Sequence, residues 1–381
     1  MTLPPESCLP VLTVTVVRDE STLITLRAAW ESLEGQAEVS GLYVTWSYVR
    51  LAWQHLAAPG NELWILVVRD EQGRLHGVLP LVRVAERHYG MAVQVLRHIG
   101  IWEGDRPGLL ALEDADRVWG VLWQSLVAQR SAWQVLDLRE QVPQNWPLRA
   151  LQRPGRGFST DTLPDIDAPL QPLGADWGLH EASLRAPVRA HRLRMQQRLH
   201  AEFPHARTTV ARTPEDIPAA LGRYLLLEQA LVQAGGGVTI GSNLRRAAFY
   251  RDWLPLLAAR GDAAVWLLGD EGTDLAGLIR LRCGDTWIER HACYAPAQAD
   301  LSPSLLLTVE ALERSFGTTA VESTLVSVRE PEGAAGSVLD WYAGRCPTQR
   351  LSVWNLRSRL GPIGYLKGLG RRLRPRPRLK R

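Results

Sequence analysis

One passage occurs twice in this 381-residue chain, with the second copy about 200 residues after the first, and that repetition restricts the fold to two similar halves. In the first copy Trp53 leads through Gly60 and Trp64-Ile-Leu-Val-Val to a polar turn at Asp70-Glu-Gln-Gly-Arg, then to Gly77 and the apolar run Val78–Arg83. In the second, Trp253 leads through Gly261 and Val265-Trp-Leu-Leu to Asp270-Glu-Gly-Thr-Asp, then to Gly277 and Leu278–Arg282. The spacings nearly coincide: Trp to Gly is seven then eight residues, Gly to Trp four then five, and Trp to Gly thirteen then eleven. Each copy reads as a helix feeding a β-hairpin. So long a period, used only twice, marks duplicated domains rather than a solenoid of short repeats.

The length suits about two domains, and a 46% hydrophobic content supplies a core for each. Cys8, Cys283, Cys293 and Cys346 are scattered without ligand spacing, so neither a disulfide framework nor a metal site is expected. The first residues show no basic stretch followed by an apolar run, and no window approaches the apolar length of a membrane span. A cytoplasmic protein is therefore expected. The net charge of +4 hides an asymmetry: residues 341–381 hold twelve Lys or Arg and no acid, leaving the body at −8. The stretch Arg371-Arg-Leu-Arg-Pro-Arg-Pro-Arg-Leu-Lys-Arg381 reads as a disordered basic tail, solvated or able to touch an anionic membrane or tRNA.

Periodicity predicts a strand over Val11–Arg18, helices over Ser21–Trp30 and Trp46–Ala58, the first hairpin, a strand over Met91–Ile99, a loop over Gly100–Gly108, a helix over Asp114–Arg130 and a strand over Trp133–Leu138. Residues Gln141–Leu173 are rich in Pro, Gly and Asp, so irregular structure and a joint near 172 are expected there. The second half predicts a basic helix over Leu179–Glu202 that Pro187 breaks or begins, a strand over Arg207–Arg212, and helices over Glu215–Gln233 and Leu244–Ala259. The second hairpin, a strand over Thr286–Tyr294, a helix over Pro303–Phe316, and strands around Ala320–Val328 and Gln349–Asn355 follow. The fold class is α/β (α+β): two tandem domains, 1–172 and 173–356, each a mixed, mostly antiparallel sheet flanked by helices, then a tail over 357–381. No Gly-x-Gly-x-x-Gly follows a strand and no P-loop occurs, which removes the main support for dinucleotide and P-loop chemistry.

Several phrases in this order carry a resemblance. They are Trp46-Ser-Tyr-Val-Arg-Leu-Ala-Trp53, Leu63–Arg69 with Gly73-Arg-Leu-His-Gly-Val-Leu-Pro-Leu81, Leu96-Arg-His-Ile-Gly100 before the Asp105 loop, the basic helix around Arg189–Arg198, and Tyr294 followed by Leu301-Ser-Pro-Ser-Leu-Leu-Leu307. Over roughly residues 10–355 the chain resembles the acetyltransferase-like family of the GNAT superfamily that includes proteins associated with cellulose biosynthesis. That family is related to the Fem-type peptidyltransferases, which carry two GNAT-like domains. The resemblance implies an acyltransferase moving an acyl group to an amine or hydroxyl. The donor would be acyl-CoA or acetyl-CoA, or aminoacyl-tRNA in the Fem branch, and the acceptor a small molecule or a cell-envelope or polysaccharide precursor. A binding module that keeps the fold without catalysis is the third reading.

In that frame Ser302 caps a helix whose N–H groups at Ser304, Leu305 and Leu306 face donor phosphates, although capping alone explains the same residues. Where coenzyme A-dependent GNAT enzymes carry a basic glycine-rich loop, this chain has Ala295-Pro-Ala-Gln-Ala-Asp-Leu-Ser302, which weakens the case for coenzyme A. On Thr286–Tyr294, strict alternation puts Trp287, Glu289, His291 and Cys293 on one face. His291 is then the candidate base, Glu289 its orienting partner and Tyr294 a donor to the leaving group. Trp46 near a helix end, Asp105 and Arg106 in a loop, and Arg189 and Arg192 on the basic helix are candidate substrate contacts.

Overall fold

A computed structural model describes residues 10–38, 40–88, 90–112, 114–142, 151, 154–235, 240–325 and 337–358. The elements run β1 (Thr13–Val17), α1 (Glu20–Thr25), α2 (Arg27–Glu34), α3 (Trp46–Leu56), β2 (Glu62–Arg69), β3 (Leu75–His88), β4 (Met91–His98), β5 (Leu110–Ala111), α4 (Ala115–Ala128) and β6 (Val135–Gln141). They continue with β7 (Phe158–Pro172), α5 (Trp177–Ser183), α6 (Ala186–Glu202), β8 (Arg207–Ala211), α7 (Ile217–Gln233), α8 (Leu244–Ala258), β9 (Ala263–Asp270) and β10 (Thr273–Cys283). Then come β11 (Thr286–Tyr294), α9 (Pro303–Glu313), β12 (Glu322–Leu325) and β13 (Gly344–Asn355). The chain divides into two compact units, residues 1–165 with 348–381, and 166–347.

The repeated passage forms a helix and hairpin in both units. In the first, the Asp70 carboxylate accepts from the N–H groups of Gln72 and Arg74 at 3.0 and 2.9 Å, closing the turn ahead of β3. The matched glycines have a packing reason. A Cβ at Gly77 would collide with Val118 of α4, and one at Gly277 would stand 2.7 Å from the Tyr224 ring of α7.

In the first unit the strands run β1-β2-β3-β4-β6-β13, antiparallel except for the parallel pair β4–β6. The last strand, Gly344–Asn355, expected to close the second half, instead pairs with β6 from Gln349 to Trp354. The first core joins Trp64, Leu66, Trp119, Leu122, Trp133 and Val353. In the second unit the order is β7-β12-β11-β10-β9-β8, again antiparallel except for one parallel pair, β11–β12. Trp266 and Leu278 of its hairpin pack with Met195, Leu199, Leu306 and Leu307 from α6 and α9.

One expectation needs correction, and one is resolved between its alternatives. Phe158–Pro172 is a strand of 15 residues, not irregular chain. Proline fixes a φ that extended backbone accepts, and the carbonyls of Pro169 and Pro172 still accept bonds, from Thr324 Oγ1 at 2.8 Å and Gln171 Nε2 at 2.7 Å. The basic helix is interrupted into α5 and α6, with Pro187 in the first turn of α6, where its missing N–H leaves no bond unmade.

Candidate active site

The site is built around one irregularity in β11. Opposite β10, Ile279 pairs with His291 and Arg280 with Glu289, so Arg290 is an extra residue without a partner. A bulge of this kind places two consecutive side chains on similar sides and inverts the alternation beyond it. Arg290 Nε donates to the Tyr250 hydroxyl at 3.3 Å, and that hydroxyl lies 2.8 Å from His291 Nε2, so both neighbours reach toward α8.

The bulge separates the two residues expected to act together. Glu289 lies on the α9 side, buried, accepting from Arg280 Nε and Nη2 at 2.6 and 2.7 Å and from Ser323 Oγ at 2.9 Å. Arg280 in turn donates to the Ala311 carbonyl and to Ser315 Oγ. Glu289 therefore holds β11 to β10 and β12 and does not orient His291.

His291 has Tyr250 instead, an aromatic partner at a centroid distance of 5.4 Å and an interplanar angle of 82°. Burial, with the Arg290 and Arg246 charges adding to it, holds the imidazole well below its ordinary range. It is neutral at pH 7, and the same surroundings make it a weaker base than an exposed imidazole. Cys293, two residues on and on the same side, is buried, and its Sγ lies 3.8 Å from the Tyr224 carbonyl. Burial and the nearby Glu228 charge push its thiol up, which keeps it a poor nucleophile.

Ala292 and Tyr294 point to the other side. Ala292 is exposed and Tyr294 half-buried against the α9 core, although β11 is an interior strand. The parallel partner β12 pairs only from Thr286–Glu289 to Glu322–Leu325, and among the described residues no strand lies beside 290–294 on that edge. The strand leads through Pro296–Leu301 to the start of α9. Ser302 precedes the helix in a left-handed conformation, φ 50°, and its side chain makes no capping bond. Leu306 N–H is already used, donating to the Ser302 carbonyl at 3.1 Å, which corrects the expectation that it is free. Ser304 and Leu305 occupy the positions whose N–H groups have no intrahelical acceptor. In place of a glycine-rich loop, Pro296–Leu301 forms a 3-10 turn.

The remaining candidates serve packing. Arg192 lies 5.4 Å from each of the Trp177 and Trp341 rings and bonds Glu181 at 3.0 Å and Glu313 at 2.5 Å, so it is not presented to a ligand. Arg189 is half-buried and donates to the Ala182 carbonyl at 3.2 Å. In the first unit the Trp46 indole donates to the Leu23 carbonyl at 3.0 Å and its main-chain N–H to Glu34 at 2.6 Å, which fixes the start of α3. Asp105 is buried and paired with Arg106 at 2.8 Å, while Arg106 N–H donates to Glu140 at 3.2 Å. The basic tail from 359 onward lies outside the described residues. Among the described residues no three His, Cys, Asp or Glu side chains gather as metal ligands, and no helix is long and apolar enough to cross a membrane.

Tyr250, Tyr224 and Glu228 were not singled out from sequence, because each sits in an apolar helical pattern that reads as core. The extra residue in β11 leaves no sequence mark.

Residues 188–322 match the acetyltransferase (GNAT) domain family. No curated protein sequence matches the chain. Solved structures with a similar fold include FemX (TM-score 0.56, 10% identity, covering 90% of this chain and 98% of that one). A conserved protein of unknown function from Bacteroides thetaiotaomicron VPI-5482 gives 0.54 at 11% identity, over 89% of this chain and 100% of that one. The C-terminal domain of a putative lysylphosphatidylglycerol synthetase from Agrobacterium fabrum gives 0.52 at 10% identity, over 91% and 96%. At such identities the likeness is one of fold. The chain thus has a mixed α/β fold like that of GNAT proteins, and its residues 188–322 match an acetyltransferase (GNAT) domain.

Proposed function

We propose that the second unit transfers an acyl group from an activated carrier to an amine, with the donor along Arg290–Tyr294 and the acceptor on the Tyr250–His291 side. The observation that carries this reading is the bulge at Arg290, which turns His291 toward α8 while the exposed Ala292 points to the other side. The acceptor nitrogen gives its proton to neutral His291 and attacks the acyl carbon. The new N–C bond forms as the bond to the carrier sulfur or oxygen breaks, and the carrier leaves with that electron pair and takes up a proton. The Tyr294 hydroxyl, which has no hydrogen bond among the described residues, suits that last donation. A bulge leaves main-chain polar groups outside the ladder, which suits an oxyanion on the acyl carbon. The N–H groups of Ser304 and Leu305, at the positive end of α9, suit carrier phosphates.

Acyl-CoA is the first donor reading. Aminoacyl-tRNA is the second, favoured by the 3-10 turn where a glycine-rich loop is expected and by the likeness in fold to FemX. A cell-envelope or polysaccharide precursor as acceptor, the link to cellulose biosynthesis, a cytoplasmic setting and a tail that meets anionic lipid or tRNA belong to this proposal and rest on resemblance. The test is product formation from labelled acetyl-CoA and from labelled aminoacyl-tRNA with a panel of amine and hydroxyl acceptors. N-acyl product that disappears in His291→Ala supports the reading; product formed equally by that variant contradicts it.

A further inference from the structure

Glu228, on α7, is only 3% exposed, yet among the described residues it has no cationic partner. Tyr224 Oη donates to its Oε1 at 3.1 Å and Gly241 N–H to its Oε2 at 2.8 Å, and both donors are neutral. Other buried carboxylates here are treated differently: Glu289 is held by Arg280, Asp137 by Arg350 and Asp105 by Arg106. A buried charge is ordinarily paired, because neutral donors replace only part of its lost hydration.

Its position supplies the second observation. The Tyr224 ring that bonds Glu228 packs over Gly277, where a Cβ would also meet Cys293 Sγ at 3.3 Å. Glu228 thus faces the part of β11 that carries Cys293 and, two residues or roughly 7 Å along the strand, His291. A carboxylate offers about four lone-pair positions, and two are taken. What is missing is one positive charge with compact donors. A primary ammonium has that shape, with three rotatable N–H bonds on a single atom, whereas a guanidinium needs a planar fork.

We propose that Glu228 binds the ammonium group of the acceptor and thereby selects a primary amine over a hydroxyl. For its catalytic meaning this rests on the acyl-transfer reading above; the binding itself does not. The docked ammonium releases one proton to solvent to become the neutral amine, and its nitrogen gives a second to His291 as it attacks, so the carboxylate holds the acceptor while the imidazole takes the proton of the attack.

The experiment is thermal unfolding of the full chain with n-butylamine, 1,4-diaminobutane and n-butanol at matched ionic strength, repeated with acetyl-CoA. The amines are expected to raise the midpoint more than the alcohol. Glu228→Gln, nearly isosteric, can accept from Gly241 N–H through its carbonyl while its amide N–H donates to the Tyr224 oxygen, and is expected to fold and to bind the amines at least tenfold more weakly. Equal shifts for amine and alcohol in the wild type, or an undiminished amine shift in Glu228→Gln, would overturn the assignment. Should Glu228→Gln not fold, Glu228→Asp takes its place: retraction by one methylene is expected to weaken amine binding about tenfold, and unchanged binding overturns the proposal. A stabilising acetyl-CoA shift with no amine preference sinks the Glu228 site alone. An amine preference without donor binding leaves the site standing and counts against acyl-CoA transfer.

Discussion

Tyr250 and His291 meet edge to face, their ring centroids 5.4 Å apart and their polar atoms 2.8 Å apart, while Arg290 donates to the same tyrosine oxygen. A histidine in that setting is held neutral, one residue from the exposed Ala292. Removing it, as His291→Ala, is expected to lower turnover by about 10²- to 10⁴-fold. Tyr250→Phe, which keeps the ring and loses one hydrogen bond, should cost roughly three- to tenfold. Because burial and the arginines hold His291 well below the ordinary value of 6.5, the rate per concentration of neutral amine should stay level between pH 7 and 6. A histidine at its ordinary value would lose half its basic form near pH 6.5, so a pH–rate profile with a limb there contradicts this placement.

The Arg280–Glu289 pair should behave as structure. Glu289→Ala leaves a buried guanidinium uncompensated and is expected to destabilise the unit by about 3–5 kcal/mol. The double variant Arg280→Met/Glu289→Leu should be more stable than Glu289→Ala. Chemical denaturation of the three proteins decides it, and a fully stable Glu289→Ala with lost turnover would return Glu289 to a catalytic role.

His98 is buried at the end of β4 in the first unit, and burial pushes its imidazole down to about 4 from an ordinary 6.5. Between those values the unfolded chain binds more protons than the folded one, so stability rises with pH in that window and is lost as pH falls through it. The loss attributable to His98 is about 3 kcal/mol by pH 4. His98→Asn should flatten unfolding midpoints over pH 4–6.5, and an unchanged slope would show that His98 is not the titrating group.

Cys293 should be chemically silent. With its thiol buried and pushed up, iodoacetamide is expected to leave it unmodified in the folded chain and to modify it in denaturant. Cys293→Ala should retain turnover within about twofold, since surface and silent sites rarely matter more; rapid labelling of the native protein would restore the thiol as a candidate nucleophile.

What could be read from sequence followed short-range rules. The two hairpins declare themselves through turn residues such as Asp70 and Gly73 and through apolar runs on either side. The place of His291 on a strand, near its end, was legible as well. Its partner was not. Alternation assumes unbroken pairing, and the extra Arg290 is a property of the β10–β11 ladder that no residue type announces. Arg192 was unreadable for a related reason: the Trp177 and Trp341 rings that enclose it come from segments far apart in sequence. Pro164, Pro169 and Pro172 suggested a break because proline was counted as an end of structure, whereas β7 uses it as extended backbone.

The most direct measurement is calorimetric titration of acetyl-CoA and of aminoacyl-tRNA into the wild-type chain and into Ala292→Trp. Ala292 is exposed on the side of β11 opposite His291, so an indole there covers that side of the strand without touching Tyr250. The expected result is that one donor binds the wild type, that the variant binds it at least tenfold more weakly, and that the two proteins unfold at similar temperatures. Undiminished donor binding by a folded Ala292→Trp, or no binding of either donor to the wild type, would contradict a donor site along β11.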